Sequence, residues 1–206
     1  MAGTEVTREV RRAAEVLRAG GIVAYPTETF YGLGALASSL AALARLTSAK
    51  LRPAGKPLPV LVSGREMLAG LVARLDPLAS ALADRFWPGP LTLVLPAAPG
   101  LAPEIAAGGT VGLRVPGSEV ARDLSRLAGG PITSTSANPS GGPPPVRPSD
   151  LAPELAARID AVLDGGETLG GLPSTVVAVE EGQVRLLRAG AVPWEAVLAA
   201  ARGRGA

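Results

Sequence analysis

Three short polar segments of the sequence contain the residue types that could do chemistry. The first, 25–34, holds both tyrosines of the chain, several hydroxyls and one carboxylate. The second, 50–56, holds the only two lysines, and the third, 134–138, holds the only asparagine. All but two of the twenty cationic residues are arginine, so the composition is strongly biased. Rare residues that persist against this bias, and cluster in polar segments, favour a chemical role.

The cationic segment places Lys50, Arg52 and Lys56 on a predicted loop that follows a helix C-terminus. Three cations exceed what is needed to offset a helix dipole. Arginine can bind phosphate or carboxylate in a bidentate manner, and lysine binds them as a point charge. The segment is not a P-loop, because Lys56 is followed by proline and no glycine lies at the required spacing before it. The segment therefore predicts either a solvated basic loop or a clamp for phosphates or carboxylates.

The run 134–138 follows an apolar strand and precedes a Ser-Gly-Gly sequence, so its hydroxyls and amide could present several donors to an anion. The alternative is an ordinary polar loop. Arg114 and Arg188 lie within predicted strands, and each could face solvent or pair with an anion. Ser174 opens a predicted strand, again at the end of a sheet.

The sequence contains neither cysteine nor histidine. Disulfides, thiolate nucleophiles, imidazole bases, Ser-His-Asp triads and metal sites built from these residues are therefore excluded. Catalysis would have to use carboxylates, hydroxyls, lysine, arginine, backbone donors or a bound metal. The net charge of +2 is too small to indicate nucleic-acid binding by itself. We find no apolar run long enough to span a bilayer, and we expect no signal peptide.

The elements that must position these residues alternate between strands and helices for most of the chain, which predicts an α/β fold. We expect a single domain over residues 1–206 with its core at about 8–192, and antiparallel pairing at the C-terminal end. The run 25–34 is predicted to be a loop at a strand end, with regular pairing ending at Pro26. Helices are predicted at 8–18, 40–49, 67–72, 77–86, 119–127, 151–157 and 193–201, with Ser38 or Ser39 and Ser118 as N-caps. Strands are predicted at 20–24, 58–62, 91–95, 110–115, 131–134, 159–163, 175–179 and 184–188, and the connection 96–109 is predicted to lie on the surface.

Taken together and in order, seven segments resemble the YrdC-like family of threonylcarbamoyl-AMP synthases. The resemblance covers nearly the whole chain, and because the segments recur in order it is stronger than any one motif. It implies the YrdC-like fold, an open twisted mixed sheet with flanking helices and a basic concave face. The chain is similar to the short form of the family, which has no further C-terminal domain. The seven segments are 25–34, 50–52, 87–92, 111–116, 136–138, 174–176 and 187–188.

The resemblance implies an enzyme, a nucleotidyltransferase that joins L-threonine, bicarbonate and ATP into threonylcarbamoyl-AMP and releases pyrophosphate. That product feeds the threonylcarbamoyl modification of an adenosine beside the tRNA anticodon. ATP would be a substrate, Mg²⁺ a cofactor, and tRNA or tRNA-modification proteins further partners. A cytoplasmic location without membrane association is expected. The nucleophile forms on the substrate itself, so the chemistry needs mainly alignment and charge neutralisation.

The family's functional residues, carried over to this sequence, form one group at ATP and one group at threonine. Lys50 and Arg52 would be catalytic, and no metal ligand is expected. Two departures from the family pattern bear on selectivity for threonine: Leu61 replaces a histidine, and Pro173 replaces an acidic residue. The resemblance places Lys50, Arg52, Lys56, Thr110, Ser134, Ser136, Asn138 and Arg188 at ATP, and Thr27, Tyr31, Arg114 and Ser174 at threonine, with Arg114 pairing its carboxylate.

Three other functions stay open at this point. A non-catalytic module that binds double-stranded RNA or tRNA would show salt-dependent affinity without pyrophosphate release. A carbamoyl-transfer domain of hydrogenase maturation shares the fold, but those proteins add cysteine-rich and acylphosphatase-like segments that this sequence lacks. A relative acting on another amino acid would keep the ATP site and accept a different substrate.

Overall fold

The structure is a computed structural model that describes residues 2–50 and 56–203, with side chains from residue 7 onward. The prediction for Arg52 therefore lies outside the described residues. Within them, the α-helices are α1 (Ala2–Arg18), α2 (Leu40–Ala49), α3 (Pro77–Phe86), α4 (Glu119–Ala128), α5 (Pro153–Ala156) and α6 (Trp194–Arg202). The strands are β1 (Val23–Pro26), β2 (Tyr31–Gly34), β3 (Val60–Leu61), β4 (Leu91–Pro96), β5 (Thr110–Arg114), β6 (Ile132–Thr133), β7 (Thr135–Ser136), β8 (Ala161–Val162), β9 (Thr175–Glu180) and β10 (Gln183–Arg188).

The described strands form two mixed sheets, one in the order β7-β2-β1-β8 and one in the order β10-β9-β4-β5-β3-β6. The pairs β1–β8, β3–β5 and β4–β9 are parallel. The other neighbouring strands are antiparallel, including β9 and β10, which form the predicted C-terminal hairpin. The predicted α/β fold with mixed pairing and flanking helices is confirmed, although the strands divide between two sheets.

The segment 132–136 passes from one sheet to the other and joins them. β6 pairs with β3 of the six-stranded sheet, and β7 pairs with β2 of the four-stranded sheet. Ser134 lies between the two strands, and its backbone N–H donates to the carbonyl of Pro59 at 2.8 Å. The predicted strand 131–134 is therefore shorter than expected, because the chain changes sheets at Ser134. Residues from both sheets meet beside this segment.

The helices bury their apolar faces in two clusters. α1 and α4 pack together against β1, and Leu17 and Leu124 lie at the centre of this smaller cluster. α2, α3 and α6 contribute to the larger cluster through Leu43, Leu82 and Val197. Burial of such side chains is the main favourable term in folding, so the two clusters hold the sheets in place.

Polar side chains begin three of the helices. Ser39 Oγ accepts from the N–H of Ala42, and Ser118 Oγ accepts from the N–H of Ala121. The predicted cap at Ser118 is confirmed, and Ser39 is the cap of the two candidates for α2. Asp76 caps α3, which begins with a proline. Helix starts marked by these residue types are the ones that the sequence located most accurately.

The run 25–34 is a β-hairpin, so the predicted loop is confined to the turn at 27–30, and the prediction was wrong for 31–34, which form β2. β1 ends at Pro26 as expected, and β2 begins at Tyr31. A Cβ atom at Gly34 would lie only 2.8 Å from Cε1 of Tyr25, so the tyrosine ring needs a glycine there. The glycines of β2 allow this approach, but they remove the alternating side chains by which a strand is recognised in a sequence.

Two further predictions needed correction. The helix predicted at 67–72 is a 3₁₀ helix at Arg65–Leu68. The connection 96–109 is not confined to the surface, because Ala102 and Ile105 are buried in the larger apolar cluster. Among the helices that the structure describes, none is both long and apolar enough to cross a membrane.

Candidate functional site

A cavity of about 330 Å³ opens beside the segment that joins the two sheets. Its walls come from the hairpin turn, the segment 134–138 and the ends of several strands. Most of the predicted site residues that the structure describes line this cavity, although they are far apart in the sequence. They are Thr27, Tyr31, Arg114, Ser134, Ser136, Asn138, Ser174 and Arg188.

Thr27 fixes the hairpin turn. Its Oγ1 donates to the carbonyl of Phe30 at 2.7 Å and accepts from the N–H groups of Thr29 and Phe30, each at 3.2 Å. Threonine hydroxyls satisfy turn backbone groups in this way. The side chain of Thr27 therefore shapes this wall of the cavity through bonds inside the turn.

Tyr31 ties the hairpin to the turn that follows β8. Its hydroxyl donates to the carbonyl of Gly166 at 2.7 Å and accepts from the N–H of Gly165 at 3.2 Å. Burial raises the pKa of Tyr31 above its ordinary value, and the N–H of Gly165 opposes this rise only in part. The phenol is therefore neutral at physiological pH and serves as a fixed donor.

Arg114 ends β5 and lies on the cavity wall. Its Nε donates to the carbonyl of Gly89 at 3.2 Å, and its Nη2 lies 2.5 Å from Oε1 of Glu28. Neither Nη2 nor Oε1 makes an aligned hydrogen bond with a described residue, so the contact is an ion pair. Burial pushes the pKa of Glu28 upward, but the charge of Arg114 and the N–H of Gly117 outweigh it, so the pKa lies below its ordinary value. Glu28 is therefore ionised at neutral pH.

Ser174 links a second arginine to a second hydroxyl. Its Oγ lies 3.0 Å from Oγ1 of Thr92, and Arg188 donates to the Ser174 carbonyl at 2.8 Å and to its Oγ at 3.1 Å. Partial burial of the guanidinium, and then the charge of Arg114, lower the pKa of Arg188. Arginine nevertheless stays protonated in proteins. Glu28 pairs with Arg114, and the charge that acts on Arg188 is the like charge of Arg114, so the cavity favours an anionic ligand.

Lys50 follows α2 and lies behind the cavity wall, with only 3% of its surface exposed. Its ammonium donates to the carbonyl of Asn138 at 2.8 Å and also to the carbonyl of Ser136. Ser140 Oγ in turn donates to the carbonyl of Lys50 at 3.1 Å. Lys50 therefore clamps the loop 136–142, which carries three residues of the lining. Its contact with a triphosphate stays a prediction.

Asn138 turns its amide nitrogen back into this loop. The amide donates to the carbonyls of Pro139 at 2.9 Å and Gly142 at 2.5 Å. Its Oδ1 is buried and accepts no hydrogen bond from a described residue. Buried acceptors in native proteins nearly always have partners, so a donor group of a ligand would satisfy this oxygen.

Some predicted residues lie away from the cavity lining. Lys56 is exposed, and Thr110 begins β5 at the opposite end of that strand from Arg114. Leu61 is fully buried in the α1–α4 cluster, so its side chain does not reach the cavity. Pro173 does line the cavity, and its effect on selectivity stays open.

Sequence reasoning missed several residues of the lining. Thr92 was inside one of the segments that resemble the family, so a signal for it existed. Thr29 and Phe30 were inside another such segment, and Thr135 lay between two predicted residues. Pro59 and Pro144 carry no chemical signal in a sequence with many prolines. The full set of missed residues is Thr29, Phe30, Gly32, Pro59, Thr92, Thr135, Gly142 and Pro144.

Comparison with known proteins identifies relatives along nearly all of the chain. The family model described as telomere recombination, for the Sua5, YciO and YrdC proteins, matches residues 15–190. A threonylcarbamoyl-AMP synthase of Pyrococcus abyssi is 43% identical over 191 residues, which are 92% of this chain and 56% of that protein. A threonylcarbamoyl-AMP synthase of Thiobacillus denitrificans is 38% identical over 184 residues, 86% of this chain and 97% of that protein. The chain thus spans about half the length of some relatives and nearly all of others.

Two solved structures are also similar to nearly the whole chain. The P. abyssi Sua5 structure in complex with L-threonine is 42% identical and superposes with a TM-score of 0.88, covering 93% of this chain and 56% of that one. Escherichia coli YciO is 25% identical with a TM-score of 0.83, covering 92% and 93%. The family model, the curated relatives and the solved structures agree, and the chain belongs to the Sua5/YciO/YrdC family.

Proposed function

We propose that this protein is a threonylcarbamoyl-AMP synthase, a nucleotidyltransferase that joins L-threonine, bicarbonate and ATP and releases pyrophosphate. The observation that carries the proposal is that Arg114, Ser136, Asn138 and Ser174 line one cavity flanked by arginines. An anionic nucleotide and an amino-acid carboxylate both suit such a cavity. The names of the relatives, and the L-threonine bound to the P. abyssi protein, support this choice.

The reaction takes place between the substrates in two steps. Bicarbonate loses hydroxide to give carbon dioxide, and the amine of threonine attacks its carbon and loses a proton, which leaves a carbamate. A carbamate oxygen then attacks the α-phosphorus of ATP, and pyrophosphate leaves with the electron pair of the broken P–O bond. Because the nucleophile is made from the substrates, a chain without cysteine and histidine can perform this chemistry.

The protein would act by placing the reactants and by neutralising charge. Arg114 would bind the carboxylate of threonine, with Thr27, Tyr31 and Ser174 completing that wall. Alignment of bound reactants and preorganised positive charge together supply most of the rate enhancement in such transfers. The nucleotide would lie against Ser134, Ser136, Asn138 and Arg188, with Lys50, Arg52, Lys56 and Thr110 at its phosphates and ribose, and Lys50 and Arg52 would be the catalytic cations.

Mg²⁺ would be supplied with ATP. The described residues contain no group of three or more His, Cys, Asp or Glu side chains that could hold a metal ion. We therefore assign the ion to the triphosphate and route no step through a protein-bound metal. The tRNA, the proteins that modify it and a cytoplasmic location are further predictions of the same assignment.

The test is pyrophosphate release from ATP and bicarbonate, with each amino acid supplied in turn. We expect release with threonine, and a loss of about a hundredfold in kcat/KM in Arg114→Gln, because a hydrogen-bonded charge is worth about 1.5–3 kcal/mol. The matched control is Arg185→Gln, which removes an exposed arginine of β10 outside the cavity. This control should keep the wild-type rate.

Three results would overturn or redirect the proposal. Absence of release with every amino acid would exclude the activity. Release with an amino acid other than threonine would assign a different acceptor. Salt-dependent binding of RNA without any release would favour the RNA-binding module.

A further inference from the structure

Glu28 carries an unusual contact for a turn residue. The carboxylate leaves the hairpin turn and reaches the guanidinium of Arg114, with Oε1 2.5 Å from Nη2. The side chains of Glu28 and Arg114 are only 17% and 8% exposed. An ion pair at the surface contributes little, whereas a largely buried pair persists only when further contacts hold both partners.

Both partners are held in this way. Oε2 of Glu28 accepts from the N–H of Ser118, the N-cap of α4, at 3.3 Å. A Cβ atom at Gly117 would lie 3.3 Å from Cγ and Cδ of Glu28, so the glycine leaves room for the carboxylate. Arg114 donates its Nε to the carbonyl of Gly89. The hairpin turn, α4 and β5 thus meet at this one ion pair.

The geometry points to a positioning role and argues against a role as a base. Both oxygens of Glu28 already face protein groups, and the residue is not among those that line the cavity. Arg114 does line the cavity, and the positive charge of Arg188 repels its guanidinium. Without Glu28, that repulsion and the open cavity would leave the guanidinium with only the carbonyl of Gly89 to fix it.

We propose that Glu28 is a positioning residue that holds Arg114 so that its guanidinium meets the carboxylate of the amino-acid substrate. This inference rests on the proposed function, because it takes the substrate to be an amino acid. Glu28 is the anchor of the amino-acid half of the cavity, as Lys50 is the anchor of the loop 136–142. Its loss should weaken binding of the amino acid and leave the ATP site unchanged.

The test compares threonine binding, measured by calorimetry, with the kinetics of pyrophosphate release. We expect Glu28→Gln to raise the Kd and KM of threonine by about tenfold while the KM of ATP stays unchanged. Glu28→Asp, which keeps the charge, should recover part of the affinity. Glu167→Gln is the matched control, because Glu167 pairs with Arg147 at the exposed surface and lies outside the cavity.

A double-mutant cycle shows whether Glu28 acts through Arg114. In an Arg114→Gln background, Glu28→Gln should cause no further loss of threonine affinity. An equal loss in both backgrounds, or an equal rise in the KM of ATP, would overturn the inference. Wild-type affinity for threonine in the Glu28→Gln variant would also overturn the inference.

The outcomes separate this inference from the proposed function. A wild-type protein that binds threonine but releases no pyrophosphate would exclude the proposed activity, while the binding cycle would still decide the role of Glu28. An active wild-type protein with an unaffected Glu28→Gln variant would exclude only the role of Glu28. A wild-type protein that binds no amino acid would exclude both. Thermal unfolding of each variant, with Glu28→Asp as the second variant, separates misfolding from a loss of positioning.

Discussion

The substitution Lys50→Met removes the ammonium that clamps the loop 136–142 and keeps a stem of similar length. Two backbone carbonyls, those of Ser136 and Asn138, lose a charged donor. Each such bond contributes about 1.5–3 kcal/mol, while the variant avoids a cost of several kcal/mol for burying an ammonium. We expect a net loss of about 2 kcal/mol, which lowers the Tm of a chain of this length by about 4–8 °C.

The same substitution should weaken ATP binding, because the clamped loop carries three residues of the cavity lining. We expect the KM of ATP to rise about tenfold, with a smaller change in the KM of threonine. The assays are thermal unfolding followed by circular dichroism, and pyrophosphate release at varied ATP. Arg185→Met is the control for stability, since Arg185 is an exposed cation of β10 and its loss should leave the Tm unchanged.

Two outcomes of the Lys50 experiment would refute this reasoning. An unchanged Tm together with an unchanged KM of ATP would mean that the clamp contributes nothing. An unchanged Tm with a large fall in kcat alone would contradict the clamp and would support the direct role at the phosphates that is proposed for Lys50. Lys50→Arg should recover part of the stability if charge in this place is what matters.

Three further predictions concern the hairpin, a close approach and acid stability. Tyr25→Phe removes the bond from the buried hydroxyl to the carbonyl of Thr133 and should cost about 1–2 kcal/mol of stability without changing turnover. Gly190→Ala would place a Cβ atom 2.2 Å from the carbonyl oxygen of Pro173, so it should destabilise by about 1–3 kcal/mol and disturb the serine that follows. The pKa of Glu28 is lowered in the folded state, so its contribution to stability is present above its ordinary pKa and is lost as the pH falls through the folded value. The stability difference between wild type and Glu28→Gln, measured in urea, should therefore shrink in acid.

Each of these predictions has a result that contradicts it. A lowered kcat in Tyr25→Phe would give that hydroxyl a part in the chemistry. Wild-type stability in Gly190→Ala would show that the backbone at 173–175 can move aside at little cost. Gly203→Ala is the control, because its Cβ atom would meet only ordinary contacts. A Glu28→Gln variant whose stability deficit grows in acid would reverse the assigned direction of the pKa shift.

Elements with local signals were predicted well from the sequence. α3 has a proline at its first position, and Ser118 marks the start of α4. The hairpin of β9 and β10 follows from alternating side chains around a short turn with glycine. Such signals lie within a few residues of the structure that they specify, so a single sequence carries them.

The features that depend on distant contacts could not be predicted. The sequence predicts one strand at 131–134 followed by a polar loop, because nothing there indicates that the chain changes sheets at Ser134. The hairpin of β1 and β2 is hidden by the glycines that the Tyr25 ring requires. The sequence placed Lys50 in a polar segment and Arg114 in a strand, but only the fold brings Lys50 to its two carbonyls and Arg114 to Glu28.

In the proposed reaction, one cavity joins the carbamate of an amino acid to the α-phosphate of ATP. The most direct test of this reaction is mass spectrometry of the product made from ATP, L-threonine and bicarbonate labelled with carbon-13. We expect threonylcarbamoyl-AMP that carries the single labelled carbon, formed by the wild-type protein and greatly reduced in Arg114→Gln. Adenylated threonine without the labelled carbon, or no adenylated product at all, would contradict the account.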